Sequence, residues 1–328
     1  MRFLLDDEQR EFARSLDALL TAADTSAVVR GWAAGHPGPG LTLWRRLADA
    51  GVFALAVPEA YGGVGPLPVE TAVALMELGR HGVPGPVVES VAAGVLLGGL
   101  GGPVAKEWLP RVASGTAVVS LVLEGYGPYA LDADAAEAVF TVAGDELRLT
   151  RGPGELTPSM DPARRLFRPG AGGEVVAAGP KVREAARAAG TWATFATAAQ
   201  ALGCGEALLR ATVAYVKQRT QFGVPVGSFQ AVKHRLADTL LGLEFARPLL
   251  YGAAVELAEG SPGAGAAVAA AKVAAGEAGY AAARTALQLH GAVGYTEELD
   301  LAWWLRRARP LRDAWGTPSV CRARVLEG

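Results

Sequence analysis

The sequence predicts a mainly α protein with a small β insert, and three observations carry that prediction. Apolar residues recur at spacings of three and four near both ends of the chain. The middle instead has β-branched runs broken by Gly and Pro, and the last third holds long helical segments with short breaks. Phe12, Leu16, Leu19 and Leu20 form one apolar stripe on a first helix. Trp44, Leu47 and Ala48 begin another pattern that stops at Gly51, and VFALAVPEAYGGVGP comes next as a turn-rich connector. Pro68 stands near the start of VETAVALMELGRHG, where a missing N–H costs nothing. From about Thr116 to Gly179, AVVSLVLEG and AVFTVAGDELRL read as strands, with GD as a turn in the second. RGPGELTP and RPGAGGE break up the rest of that unit. Helices are expected over 183–218, 228–258, 263–290 and 297–309, with a short final piece. Their breaks fall at Gly223–Pro225, Gly260–Pro262 and Gly291–Gly294. Four such helices with short connections pack naturally as an antiparallel bundle. The expected units are 1–115, 116–181 and 182–328.

Composition bounds the function classes. The 328 residues are 51% hydrophobic and 20% charged, enough for two or three packed units. A net charge of −2 lacks the clustered Lys and Arg that nucleic acid or an anionic membrane would need. Cys204 and Cys321 have neither CxxC nor metal-type spacing and read as two inert thiols, so no metal site is expected. MRFLLDDEQREFARSL is acidic where a signal peptide is basic. VVESVAAGVLLGGLGG (87–102) carries Glu89, and the run Ala264–Leu287 is interrupted by Lys272, Glu277 and Arg284. Neither can span a bilayer. A soluble, cytoplasmic protein with no membrane or nucleic-acid partner is expected.

Two stretches carry chemistry. RTQFGVPVGSFQAVKHRLAD (219–238) closes one helix and opens another through Ser228, a plausible N-cap. Arg219 offers a fork of donors suited to phosphate oxygens, Gln221 and Gln230 donate and accept, and Phe222 can lie against a ring. The corner suits a dinucleotide's pyrophosphate and adenosine. A capped helical hairpin with an exposed Arg explains the same residues. In QLHGAVGYTEELDLAWWLRRAR (288–309), Gly291 ends a helix, and Gly291–Ala292 allows close backbone approach. Thr296 is expected to cap the next helix. His290 suggests acid–base work, but a helix-end histidine more often caps carbonyls or packs.

Together these residues resemble the acyl-CoA dehydrogenase family. RTQFG…FQ and QLHGxxGYT with its basic helix match the family's motifs, as do VPEAYGGVG, the MELGR helix and DDEQREFARSL. The resemblance covers nearly the whole chain except the middle. It implies an acyl-CoA dehydrogenase-like fold: an N-terminal helical domain, a shortened middle β domain and a C-terminal four-helix bundle. It also implies an oxidoreductase acting on an acyl-CoA in lipid metabolism, with FAD as cofactor and electron-transfer flavoprotein as electron acceptor. The resemblance assigns FAD contacts to Arg219, Phe222, Gln230, Gln288, Gly291, Ala292 (usually glycine) and Thr317. Most of these touch the adenosine-diphosphate part of a neighbouring subunit's cofactor.

Other family features are missing. SLVLEGYGP stands where a Thr-Glu-Pro-x-x-Gly-Ser-like strand holds the isoalloxazine ring, so Leu123 replaces a hydroxyl and Gly125 a proline. The unit contains no later Trp-x-Thr, although Trp192 and Thr194 have that spacing in the next helix. The family's catalytic Glu precedes a Gly-Thr late in the bundle. Here Trp315 precedes Gly316 and Thr317. The family's second location for that Glu falls on Ala193. Asp313 and Glu184 are the remaining carboxylates for a displaced base, and each also reads as a solvated helix charge. The expected function is therefore a dehydrogenase subunit that lacks its own base and serves a partner's FAD, in a homo- or hetero-oligomer with a second acyl-CoA dehydrogenase subunit. A self-sufficient enzyme with a displaced base, a non-catalytic assembly or acyl-binding subunit, and another flavin chemistry such as oxygenation are the competing expectations.

Overall fold

The computed structural model describes residues 4–170 and 172–327. Residues 1–3, 171 and 328, which fall within the three expected units, lie outside it. Six helices open the chain: α1 (Asp7–Thr21), α2 (Thr25–Ala33), α3 (Gly38–Asp49), α4 (Pro68–Arg80), α5 (Val87–Leu100) and α6 (Gly102–Ala113). Asp6 and Gln9 form a reciprocal capping box at the start of α1, with Gln9 N donating to Asp6 Oδ1 at 2.8 Å. Leu16 and Leu20 are buried, as the stripe requires. Gly51 ends α3 in the left-handed region at φ +81°, which glycine tolerates at no steric cost.

Seven short strands come next: β1 (Val119–Leu123), β2 (Ala130–Leu131), β3 (Ala138–Ala143), β4 (Glu146–Thr150), β5 (Glu155–Thr157), β6 (Leu166–Arg168) and β7 (Glu174–Ala178). They form two sheets, in the orders β1-β3-β4-β7 and β2-β6-β5. β1 runs parallel to β3, while β3–β4 is the hairpin that the Gly144–Asp145 turn predicts.

The rest is the bundle: α7 (Pro180–Gln218), α8 (Gln230–Glu259), α9 (Ala264–His290), α10 (Leu301–Asp313) and a final α11 (Pro318–Glu327). A two-stranded hairpin, β8 (Thr220–Gln221) and β9 (Val224–Pro225), turns the chain between α7 and α8. The central helix α7 packs at backbone distance on both sides. A Cβ on Gly203 would lie 1.9 Å from Met76 O on α4, and one on Gly79 would lie 2.2 Å from Gln200 O. On the other side, a Cβ on Gly279 of α9 would lie 2.6 Å from Ala201 O. Only glycine permits these seams.

Two helix starts and one helix end differ from the sequence expectation. Ser228 does not cap α8. Its hydroxyl donates to Pro225 O at 2.7 Å inside a 3₁₀ turn, and Phe229 takes the cap position. Thr296 closes a turn on Val293 O at 3.0 Å, so α10 begins at Leu301, not at 297. That helix also passes Pro310 and runs to Asp313. Burial of Leu311 and the Ala314 N–Pro310 O bond offset the hydrogen bond that proline removes.

Candidate functional site

The end of β1, Glu89 of α5 and the segment at the end of α10 border one cavity of about 230 Å³. Trp315, which the sequence resemblance sets at the base position, lies against it and is only 8% exposed. Three contacts hold it. Its indole Nε1 donates to Glu89 Oε1 at 3.0 Å, its carbonyl accepts from Thr194 Oγ1 at 2.7 Å, and its ring meets Tyr126 at 5.2 Å between centroids. Its backbone sits at φ +54°, a region bulky residues rarely adopt, and such strain persists only where surroundings over-determine it. Tyr126 in turn covers Gly190 of α7, where a Cβ would meet its hydroxyl at 2.7 Å. Leu123 is buried at the end of β1, and Glu124 Oε2 accepts from Gly144 N at 2.7 Å. Neither Leu123 nor Gly125 offers a side-chain hydroxyl for a ring to use. Ala193, the second position the resemblance offers for a base, is fully buried, and its carbonyl accepts from Thr197 Oγ1.

The remaining carboxylates do not reach this cavity. Asp313 pairs with Arg312 at 3.4 Å and its side chain is 42% exposed. Glu184 is exposed near the start of α7. The buried carboxyl at the cavity is Glu89, 3% exposed on α5. Burial raises its pKa, and the nearby Arg164 charge and the indole hydrogen bond oppose that shift. Sequence reasoning used Glu89 only to argue against a membrane span. The readable signal was a lone charge in an otherwise apolar helix, which a globular protein buries only with partners.

A buried staple ties three elements together. Arg307 Nε meets Asp161 Oδ2 at 2.7 Å, with both side chains buried, and its Nη1 donates to Gly82 O and Val83 O. It thereby joins α10, the β unit and the α4–α5 turn.

The second region is open. Tyr215 near the end of α7 stacks on His290 at the end of α9, with centroids 4.1 Å apart. His290 Nδ1 donates to Ala286 O at 2.8 Å, so it packs and caps its own helix. This contact brings the end of α7, which leads into Arg219, beside the end of α9. Arg219, Phe222, Gln230, Gln288, Gly291 and Ala292 are all exposed. Phe222 is 93% exposed at φ +54°, and its ring meets Phe229 at 6.4 Å. Gly291 sits at φ +63° with open space where a side chain would be. Among the described residues no side-chain hydrogen bond or ion pair occupies the Arg219 guanidinium. Thr317 stands apart from this group. It accepts from Val320 N at the start of α11, next to the closed cavity. The α9 residue beside the α10 end is Gly276, twelve residues before Gln288, or about 18 Å along a helix.

A third feature is a cleft of about 690 Å³ between the β unit and the bundle. Arg183, Arg187 and Arg324 line it together with Thr191 and Thr194. No helix among the described residues is long and apolar enough to cross a membrane.

Comparison with known proteins matches residues 6–116 to the acyl-CoA dehydrogenase N-terminal domain and residues 184–328 to the acyl-CoA dehydrogenase C-terminal domain. The chain is 35% identical over 305 residues to acyl-CoA dehydrogenase IpdE2 of Mycobacterium tuberculosis, covering 92% of this chain and 91% of that one. Its fold superposes on the Tcur3481–Tcur3483 steroid ACAD with a TM-score of 0.85 at 26% identity, covering 98% and 97% of the two chains. The ChsE4–ChsE5 complex of Mycobacterium tuberculosis gives 0.81 at 26% identity, covering 100% and 98%. This chain belongs to the acyl-CoA dehydrogenase family, a family of oxidoreductases.

Proposed function

We propose that this family member is the subunit of a heteromeric, FAD-dependent acyl-CoA dehydrogenase that lacks its own catalytic Glu and walls the adenosine side of its partner's FAD. The observation that carries the reading is Trp315. A buried indole, fixed at three points, occupies the place where a carboxylate would meet the thioester's α-carbon. The isoalloxazine ring does not fit this chain's own site, because Leu123 offers no donor and Tyr126 packs against Trp315.

The open corner does fit the other half of the cofactor. Arg219 presents a planar fork for the pyrophosphate, Phe222 a free ring face, Gln230 and Gln288 amides, and Gly291–Ala292 a backbone that can be approached closely. FAD bound there would accept hydride from the acyl Cβ, while the partner subunit supplies the base. Electron-transfer flavoprotein would take the electrons onward. Leu240, Leu241, Phe245 and Leu249 extend an exposed apolar face along α8 from this corner. Patches of this kind mark protein interfaces. Two of the structural relatives carry paired names, Tcur3481–Tcur3483 and ChsE4–ChsE5, in keeping with such an assembly.

Co-expression with a second acyl-CoA dehydrogenase subunit tests the reading. The pair should co-purify with flavin and turn over an acyl-CoA, and Arg219→Ala should lower flavin content at least tenfold. A lone chain that purifies flavin-loaded and fully active would overturn it.

A second reading draws on the arginine-lined cleft. Three guanidinium groups suit the phosphates of an acyl-CoA carrier, so the chain would bind the carrier without flavin. In that case Arg219→Ala leaves flavin content unchanged, and Arg187→Ala weakens acyl-CoA binding.

A further inference from the structure

Asp17, Glu77 and His81 converge where α1 packs on the end of α4. One ligand atom from each, two carboxylate oxygens and an imidazole nitrogen, lies within 4.8 Å of the other two. No other three His, Cys, Asp or Glu side chains come together in this way among the described residues. Glu77 and His81 stand one helical turn apart, so both side chains leave α4 on the same face. Asp17 reaches them from α1, 64 residues before His81, so no local spacing in the sequence announces the group.

Glu77 is the member with an oxygen to spare. Its side chain is only 6% exposed, and Arg80 takes Oε1. Oε2 is buried without a hydrogen-bond partner, a state that costs stability until something meets the oxygen. Its lack of solvent access suits an ion's ligand. A gap of 4.8 Å or less is too short for a water in line between two atoms, at about 2.8 Å from each, but it can close around a cation at about 2.0–2.2 Å. His81 Nε2 lies 2.8 Å from Asp17 Oδ1, and the half-exposed Asp17 gives an ion a way in from solvent.

Charge points the same way. Arg80 joins Glu77 to Glu206, and Arg247 joins Glu206 to Glu244. With Asp17 added, four carboxylates face two guanidinium groups, a surplus that a divalent cation would balance. Arg80 also fixes the Glu77 carboxylate through Oε1, as outer partners do for metal ligands. One imidazole with two carboxylates suits a transition-metal ion better than Mg²⁺ or Ca²⁺, which take oxygen ligands.

We propose that Asp17, Glu77 and His81 bind a divalent transition-metal ion of the Zn²⁺ type, which clamps α1 to α4. The site shares no residue with the Trp315 cavity or the Arg219 corner, so it stands or falls separately from the function proposed above.

Co²⁺ is the probe, titrated into the full-length chain after chelator treatment, with Zn²⁺ as competitor. One equivalent should bind with a visible ligand-field band, and Zn²⁺ should displace it and raise the Tm. Asp17→Asn and His81→Ala should each weaken binding at least tenfold and abolish the rise in Tm. Glu77→Gln keeps an acceptor for Arg80 and should weaken binding by a similar factor. If it does not fold, Asp17→Asn, at a half-exposed position, carries the test. His234 and Asp238, one turn apart and exposed on α8, are the competing surface pair, and His234→Ala should leave the affinity unchanged. Four results would overturn the proposal. These are no saturable binding at one equivalent, unchanged affinity in the Asp17 and His81 variants, loss of binding in His234→Ala, and displacement of Co²⁺ by Mg²⁺ as readily as by Zn²⁺.

Discussion

The Trp315 region and the Arg219 corner are built on opposite principles. Around Trp315 three buried contacts are made from within: indole to Glu89, Thr194 to a carbonyl, Arg307 to Asp161. At the corner, Arg219, Phe222, Gln230 and Gln288 face solvent, and the folded chain asks nothing of them. In the proposed assembly these side chains meet a cofactor held by the partner. Aromatic exposure measures the contrast: 8% for Trp315 and 93% for Phe222.

The comparison can be broken first at the staple. Asp161→Ala strands a buried guanidinium, and breaking one side of such a pair costs about 3–5 kcal/mol. Urea midpoints should show a loss of that order. A loss below about 1 kcal/mol would mean the closed region is not internally braced. Next comes Trp315→Phe, which keeps a ring but leaves Glu89 Oε1 without its donor. A loss of about 1–3 kcal/mol is expected, and Glu89→Gln, which keeps an acceptor, should lose less.

A smaller effect is pH-dependent. Burial pushes the Asp132 carboxyl up to about 7 from an ordinary 3.8, with the Arg165 N–H and Arg164 opposing. The folded chain therefore holds that proton more tightly than the unfolded one. Its contribution to stability is full below about pH 4 and is lost as pH rises toward 7, with a slope of at most ~1.4 kcal/mol per pH unit. Asp132→Asn keeps the acceptor for Arg165 N and tolerates the residue's φ of +50°, so it should remove this slope from the stability–pH curve. The smallest effect on stability belongs to the corner. Phe222→Ala should leave the lone chain within about 0.5 kcal/mol of wild type, while flavin content of the co-purified complex falls. A large loss of stability there would erase the contrast between the regions.

Much of this was legible in the residues. The stripe of Leu16 and Leu20, the Gly144–Asp145 turn and the breaks between bundle helices are local signals, and the chain obeys them. The residues expected at the corner fall in two short stretches, 219–230 and 288–292, so sequence reading could single them out as local motifs. The closed region was not legible in this way, because its partners are distant: Glu89 and Trp315 are 226 residues apart, and Asp161 and Arg307 are 146 apart. Ser228 and Thr296 misled for the reverse reason. A hydroxyl near a helix start has more than one carbonyl in reach, and each chose a turn.

The glycine seams on either side of α7 carry a further consequence. Side chains of glycine and alanine lose almost no rotamer freedom on burial, so these interfaces form at little entropic cost. The same seams leave no slack. At Gly203 a single added methyl would sit 1.9 Å from the Met76 carbonyl. Sequence drift along α7 is therefore one-sided, because atoms cannot be added at the seams and there are few to remove. Change is steered outward, to the strand ends and the corner, where a subunit can alter what it binds without disturbing the rod that carries it.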